Sequence, residues 1–372
     1  MSNEVDGGPA LRPVAHEPAG PPALDLHGTA MAPAGAGASA AAGGAGAPAG
    51  GGRVGSRWDR VRHAADTYAG VGGILIALCV FLGITEDGFM TRANWINILE
   101  TNATILVVAV GLTFVLLNGG IDLSLGGTMA LTAIVMSELV TGGWNAGLAM
   151  GLAILLGAVL GLVNGVLVGK VGLSFLVVTL GTGSAFRGIA QVRTEGQVTS
   201  LFEVELVSRI HDGELLGVPW LVWISLVVLG IGIGVLRYTG FGRMVYACGG
   251  NREAARLAGI NVIAVSISVF VIAGLLAGIA SMMEVSRLTS ASPTGSTGIE
   301  LTAAAAVLLG GTSFMGGRGT LLGTLLGVLF LGVLSNGITL TGISSFWYGI
   351  VSGGVLVSAV LLDRIRNGRA MP

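Results

Sequence analysis

The sequence predicts an all-α fold, a polytopic bundle of about ten transmembrane helices. Three observations carry that reading. Charged residues make up 10% of the 372-residue chain and hydrophobic residues 52%, with a mean hydropathy of +0.84, whereas a soluble domain carries about a quarter charged residues. The stretches Leu139–Gly169 and Gly319–Leu362 contain no charged side chain, and each is long enough for two crossings at about 20 apolar residues apiece. The apolar runs are continuous, whereas a membrane β-barrel shows short alternating segments.

Apolar runs between polar breaks place the spans near 67–84, 101–117, 122–140, 146–168, 174–193, 219–236, 261–283, 298–311, 320–337 and 346–362. The eighth is short. Arg53, Arg57, Arg60 and Arg62 precede the first span, so the bias of Lys and Arg toward the inner side puts the N-terminus in the cytoplasm. Ten crossings bring Lys170, then Arg237, Arg243, Arg252 and Arg256, then Arg318, and finally Arg364, Arg366 and Arg369 to that same side. The largest loop on the far side, Thr194–Val218, is acidic: Glu195, Glu203, Glu205, Asp212 and Glu214 face one Arg209.

Residues 1–57 are mostly Gly, Ala and Pro. Such a segment buries too little apolar surface to offset its ordering entropy, and a disordered cytoplasmic tail is expected there. Residues 58–372 then form the membrane domain, with a cytoplasmic segment at 237–260.

Glycines recur every fourth residue at Gly157, Gly161, Gly165 and Gly169, at Gly319, Gly323 and Gly327, and at Gly274 and Gly278. Bare helix faces of this kind let neighbouring helices approach closely in lipid, and packing within the chain is the expectation for them. An internal echo joins Asn164-Gly165, Gly172, Ser174 and Phe175 to Asn336-Gly337, Gly342, Ser345 and Phe346. It suggests inverted repeats of spans two to five and seven to ten, a common transporter construction.

Several chemistries are excluded or unsupported. A net charge of -1 without a basic cluster outside the membrane flanks gives no footing for nucleic acid. Two cysteines, Cys79 and Cys248, cannot make a disulfide framework. His16, His27, His63 and His211 all fall outside the spans, and no metal cluster, cofactor site or nucleophile–base pair is expected. The only lysine, Lys170, precedes Val171, so there is no phosphate-binding GxxxxGK[ST] loop. Any nucleotide that drives this chain must be bound by another one.

The island Tyr246–Ile260, YACGGNREAARLAGI, interrupts the lipid-facing sequence with a charged, helix-prone stretch. Too short to cross, it is expected to lie on the membrane face with Ala254, Ala255 and Ala258 as a small face. It reads either as a solvated juxtamembrane helix or as a docking helix. Asn118-Gly119-Gly120-Ile121-Asp122-Leu123-Ser124 marks the break between spans two and three. Asp122 is placed there to cap free N–H groups of the third span, with a polar role near a solute path as the alternative. Gly310–Gly319 reads as a packed hinge. The polar residues expected along a path are Asn118, Asp122, Ser124, Asn164 and Asn336.

Four blocks together resemble the membrane permease of ribose-type sugar ABC importers: NGGIDLSLGG (Asn118–Gly127), TLGTGSAFRGIA (Thr179–Ala190), GGNREAARLAGI (Gly249–Ile260) and LLGGTSFMGGRGTLLGTLLG (Leu308–Gly327). The resemblance runs from about Trp95 to Asp363 and covers a family that also serves xylose, arabinose and galactose. It implies that Asn251, Arg252, Glu253, Ala254, Ala255, Arg256 and Gly259 form a coupling helix seated on an ATPase subunit. It further implies a second permease copy, an external sugar-binding protein and an inner-membrane location. The chain departs from the family pattern at Thr302, after Glu300-Leu301, and at Glu195-Gly196-Gln197. The competing class is an ion-coupled carrier with Asp122 as proton or sodium ligand; permeases for branched-chain amino acids, nucleosides or autoinducer-like cargo are neighbouring readings. A membrane scaffold or receptor that moves no solute is the third class.

Overall fold

Backbone N–H and C=O groups have no water to bond within a bilayer, so each apolar run must satisfy them internally as a helix. The computed structural model describes the backbone of residues 57–366 apart from 345, and the side chains of 70–361 apart from the same position. The expected tail and the side chains of Arg53, Arg57, Arg60, Arg62, Arg364, Arg366 and Arg369 lie outside the described residues.

In chain order the helices are α1 (Arg57–Thr85), α2 (Arg92–Leu117), α3 (Leu125–Thr141), α4 (Ala146–Gly169), α5 (Phe175–Thr194), α6 (Glu205–Asp212), α7 (Trp220–Tyr238), α8 (Gly240–Gly250), α9 (Arg252–Leu257), α10 (Val262–Leu288), α11 (Ile299–Leu309), α12 (Leu321–Leu340) and α13 (Phe346–Arg366). Six of the described helices, α2, α4, α5, α7, α10 and α12, are long and apolar enough to cross a membrane, and shorter apolar helices at Gly70–Thr85, Leu125–Thr141, Ile299–Leu309 and Phe346–Leu361 lie where the other four spans are expected. Three boundaries move by five residues or more, the first of them at α1, which starts at Arg57 rather than 67. α2 starts at Arg92 rather than 101, because the Thr91 hydroxyl accepts from Asn94 N at 3.3 Å and caps a polar first turn. α10 runs on to Leu288 and carries Glu284 and Arg287 within its last turns.

Contacts between loops sort them into two ends. At one end Thr199–Ser200 pairs antiparallel with Ser290–Ala291, Arg92 donates to the Gly217 carbonyl at 2.9 Å, and Arg193 Nε donates to Glu138 at 2.9 Å. There, too, Asn94 and Asn336 exchange amide hydrogen bonds at 3.0 and 2.7 Å. At the other end Gly317 N donates to Leu117 O at 2.9 Å. Each of these contacts joins positions an even number of spans apart, as alternating crossings require.

The packing repeats. α4 lies on α10 as α12 lies on α2; α3 contacts α4 and α5 as α11 contacts α12 and α13; and α3 touches α10 as α11 touches α2. The two sets, α2–α5 and α10–α13, begin at opposite ends and so form an inverted pair, the arrangement the Asn-Gly echo suggested. Both contain a break: residues 118–124 ahead of α3 and 289–298 ahead of α11. α11 has 11 residues, about 16 Å at 1.5 Å per residue, so it reaches only about half-way through the hydrocarbon core.

The glycine ladder is internal packing. A Cβ at Gly157 would collide with Gly274 O, one at Gly161 with Phe270 O, and one at Gly165 would stand 2.9 Å from Ile267 Cα. Gly151, on the same helix, faces open space. Gly157→Ala is therefore expected to lower stability by about 1–3 kcal/mol through overpacking, while Gly151→Ala leaves it unchanged. Thermal unfolding of the two detergent-solubilised variants checks this.

Candidate functional site

The island is two helices, not one. Thr239 Oγ1 accepts from Gly242 N at 3.1 Å and opens α8. Asn251 closes it with an extended backbone (φ -157°, ψ 104°), then opens α9 by accepting from Ala254 N at 2.9 Å through Oδ1. Gly259, at φ 83°, ends α9: Gly259 N donates to Arg256 O and Ile260 N to Ala255 O, both at 3.0 Å. That paired pattern is a Schellman motif, which glycine adopts without strain. Asn261 opens α10 by accepting from Ala264 N at 3.0 Å. Three short polar or glycine residues thus fold the chain back on itself within a few residues.

The expectation of one surface helix with a small alanine face is corrected by burial. Val245 and Cys248 in α8 are buried, and burial pushes the Cys248 thiol up, keeping it protonated. Of the α9 alanines only Ala255 is buried; Ala254, Ala258, Arg252, Glu253, Arg256 and Leu257 are exposed. Glu253 and Arg256 form a two-point ion pair, Nε–Oε2 3.1 Å and Nη2–Oε1 2.7 Å. Leu257, 78% exposed, stands beside them.

Three glycine turns from different parts of the sequence interlock beneath α9. A Cβ at Gly249 would overlap the Leu117 carbonyl and stand 2.6 Å from Gly317 N; one at Gly316 would stand 2.7 Å from Gly119 Cα; one at Gly317 would stand 2.7 Å from Gly250 Cα. Gly119, Gly316 and Gly317 all have φ between 70° and 86°, where a side chain is strained. The turn Gly310–Gly319, expected as a packed hinge, is packed against the other two. Tyr246 adds a hydrogen bond from its hydroxyl to Gly319 O at 2.9 Å.

Behind this knot lies a buried polar cluster that gathers four of the five expected path residues. Asp122 Oδ1 accepts from Ser124 N at 2.9 Å and from Ser124 Oγ at 2.6 Å, and Asn164 Nδ2 donates to Ser124 Oγ at 2.7 Å. Asp122 thus holds the residue ahead of α3 rather than the free N–H groups of the helix itself. Asn118 Nδ2 donates to Ser266 Oγ at 3.1 Å, and the Arg252 guanidinium donates to the same hydroxyl. All four residues, with Ser266, are at most 7% exposed, so the cluster is packed shut. Among the described residues Asn118 Oδ1, Asp122 Oδ2 and Asn164 Oδ1 have no hydrogen-bond partner. Asn336 stands apart, paired with Asn94 at the opposite end.

Ser266, which links α9 to the break at 118–124, escaped sequence reasoning: a lone serine in an apolar span carries no signal. Arg187 and Glu300 approach to 3.6 Å (Nη2–Oε1). The missing Cβ of Gly126 leaves the Glu300 carboxylate room against α3, and that of Gly127 leaves room for Gly183 O. The blocks at 118–127, 249–260 and 308–327 therefore meet one another directly, and the block at 179–190 meets the first of them through Gly183.

The family profile described as "Branched-chain amino acid transport system / permease component" matches residues 94–360, most of the chain. The chain belongs to this permease family. Among its relatives, the ribose import permease protein of Escherichia coli K12 is 44% identical over 78% of this chain and 92% of its own length. The ribose import permease protein of Bacillus subtilis 168 is 42% identical over 79% and 91%, and the L-arabinose transporter permease of Azospirillum brasilense 34% over 81% and 88%. No solved structure matches the permease. Among its described residues no group of three or more His, Cys, Asp or Glu side chains is placed to hold a metal ion.

The knot separates two adjacent glycines. Gly249→Ala drives a methyl group into backbone and is expected to cost the permease about 1–3 kcal/mol or more. Gly250→Ala meets nothing within 4 Å and is expected to be neutral. Comparing the melting temperatures of the two purified variants tests the assignment.

Proposed function

We propose that this permease forms the membrane path of an ATP-driven importer for a monosaccharide such as ribose, in the bacterial inner membrane. The observation that carries the reading is 44% identity to a ribose import permease across 92% of that protein. The exposed α9, with Glu253 and Arg256 presented to solvent beside Leu257, supplies a docking element suited to a motor subunit. The arginine-rich flanks support cytoplasmic N- and C-termini and, with them, a cytoplasmic α9.

In this reading an ATPase subunit grips Asn251–Gly259. Displacement of α9 reaches the bundle by two routes. One is the backbone contact of Gly249 with Leu117 and Gly317; the other is the hydrogen-bond relay from Arg252 through Ser266 to Asn118. Both end at the break between α2 and α3, where Asp122, Ser124 and Asn164 hold the chain. A second copy of the permease completes the membrane core, and an external binding protein delivers the sugar to the opposite end. The chain itself performs no bond chemistry.

The family description names branched-chain amino acids, which makes such cargo the second reading. Reconstitution of the permease in vesicles with its ATPase and binding protein separates the two. ATP-dependent uptake of ribose without uptake of leucine is expected; the reverse result favours the second reading, and uptake without an ATPase overturns both. Glu253→Lys reverses a charge on the docking face and is expected to abolish uptake while the protein remains in the membrane. Normal uptake by that variant would remove the docking role from α9.

A further inference from the structure

A cavity of about 440 Å³ opens between α2, the last turns of α10, the break at 289–298 with α11, and α13. It lies at the end of the bundle opposite α9, and its volume falls in the range of about 300–1,000 Å³ typical of small-ligand pockets. Its polar lining includes Thr101, Thr104, Glu284, Arg287, Thr302 and Tyr348, and none of these belongs to the polar cluster behind the knot.

Two features mark the wall as prepared for a ligand. Thr104 is 1% exposed, yet its hydroxyl has no partner among the described residues, and Arg287 Nε is also buried without one there. A buried polar group left unpaired is destabilising by about 1–3 kcal/mol, so these groups need a partner that the chain does not provide. In addition, Glu284 and Arg287 share one helix face three residues apart and feel each other's charge, but among the described residues neither closes a direct ion pair. Charged side chains inside a membrane segment are retained for function and require partners.

We propose that this cavity is a holding site for a neutral polyhydroxylated solute, a monosaccharide, on its way through the permease; the proposal rests on the importer reading above. A carboxylate accepts from two adjacent sugar hydroxyls, a guanidinium donates to two, and threonine hydroxyls do either. One negative and one positive group leave the site without net charge, matching a neutral ligand. Gly349 and Gly353 leave the α13 wall bare, and a Cβ at either meets nothing within 4 Å, so a ring can lie against that wall.

The test uses the reconstituted complex with the ATPase and binding protein, radiolabelled ribose as the probe and labelled leucine as the alternative. Glu284→Gln and Thr104→Val are expected to lower ribose uptake about ten-fold or more. Gly353→Leu, which grows into open space, is expected to block it. All three should retain ATP hydrolysis stimulated by the loaded binding protein, which shows that folding and assembly survive. Wild-type ribose uptake that is unchanged in Glu284→Gln and Gly353→Leu overturns the cavity and leaves the importer reading standing. Loss of leucine uptake rather than ribose uptake in these variants overturns the sugar assignment. Absence of any ribose uptake by the wild type overturns both.

Discussion

Backbone-to-backbone contact at glycine is the constraint on which the rest of this structure depends. Lipid tails are as apolar as leucine, so burial of side chains gives little drive for helix association, and close van der Waals approach takes its place. The contact of α4 with α10 is built on Gly157, Gly161, Gly165, Gly274 and Gly278, each standing where a methyl group would meet a main chain. The same device fastens α11 to α12 through Gly310, Gly323 and Gly327. At the Leu117–Gly249–Gly317 junction it does something further, because it ties three loops rather than two helices. A shift in any of them must be felt by the others, since no flexible side chain stands between them to absorb it.

Much of the bundle was readable from sequence because the bilayer enforces a simple rule. Apolar runs and their breaks located the six membrane-length helices and the four shorter apolar ones, and the alternation expected of ten crossings is one that the loop contacts obey. The inverted pairing was visible only as the Asn164-Gly165 and Asn336-Gly337 echo, yet the packing of α2–α5 and α10–α13 repeats throughout. Convergence was not readable. Asn118-Gly119-Gly120, Gly249-Gly250 and Gly316-Gly317 each look like a turn, and nothing local reveals that the three turns touch. The division of the island at Asn251 was signalled by an N-cap residue ahead of Arg-Glu-Ala-Ala, but continuous helix propensity masked it. Ser266, Thr104 and Glu284 became informative only when distant helices placed partners, or withheld them, around their polar atoms.

The two halves share packing but not polarity. Asn164 and Asn336 occupy corresponding places near the ends of α4 and α12, and their surroundings differ. Asn164 is fully buried and holds Ser124 at the first break; Asn336 pairs with Asn94 at the opposite end of the bundle. The first break is closed by Asp122, Ser124 and the glycine knot. The second, ahead of α11, borders an open cavity lined by hydroxyls and by Glu284 and Arg287. One pseudo-symmetric element has become a joint and the other a wall.

That division suits a machine in which force and cargo enter from opposite ends. Glycine contacts and fully buried hydrogen bonds transmit displacement well because they have few alternative arrangements. A site that must hold a solute and release it needs polar groups whose partners come and go. Asp122 Oδ2 in the first break and Asn164 Oδ1 beside it, unpaired among the described residues, leave that joint short of hydrogen bonds in this arrangement. A second arrangement of residues 118–124 that satisfied those acceptors would compete with this one, and any displacement of α9 in the proposed cycle would bear on Leu117 and Asn118 through Gly249 and Ser266. On the proposed importer reading, bistability at the joint, rather than flexibility of the helices, would let a small movement at one end change access at the other.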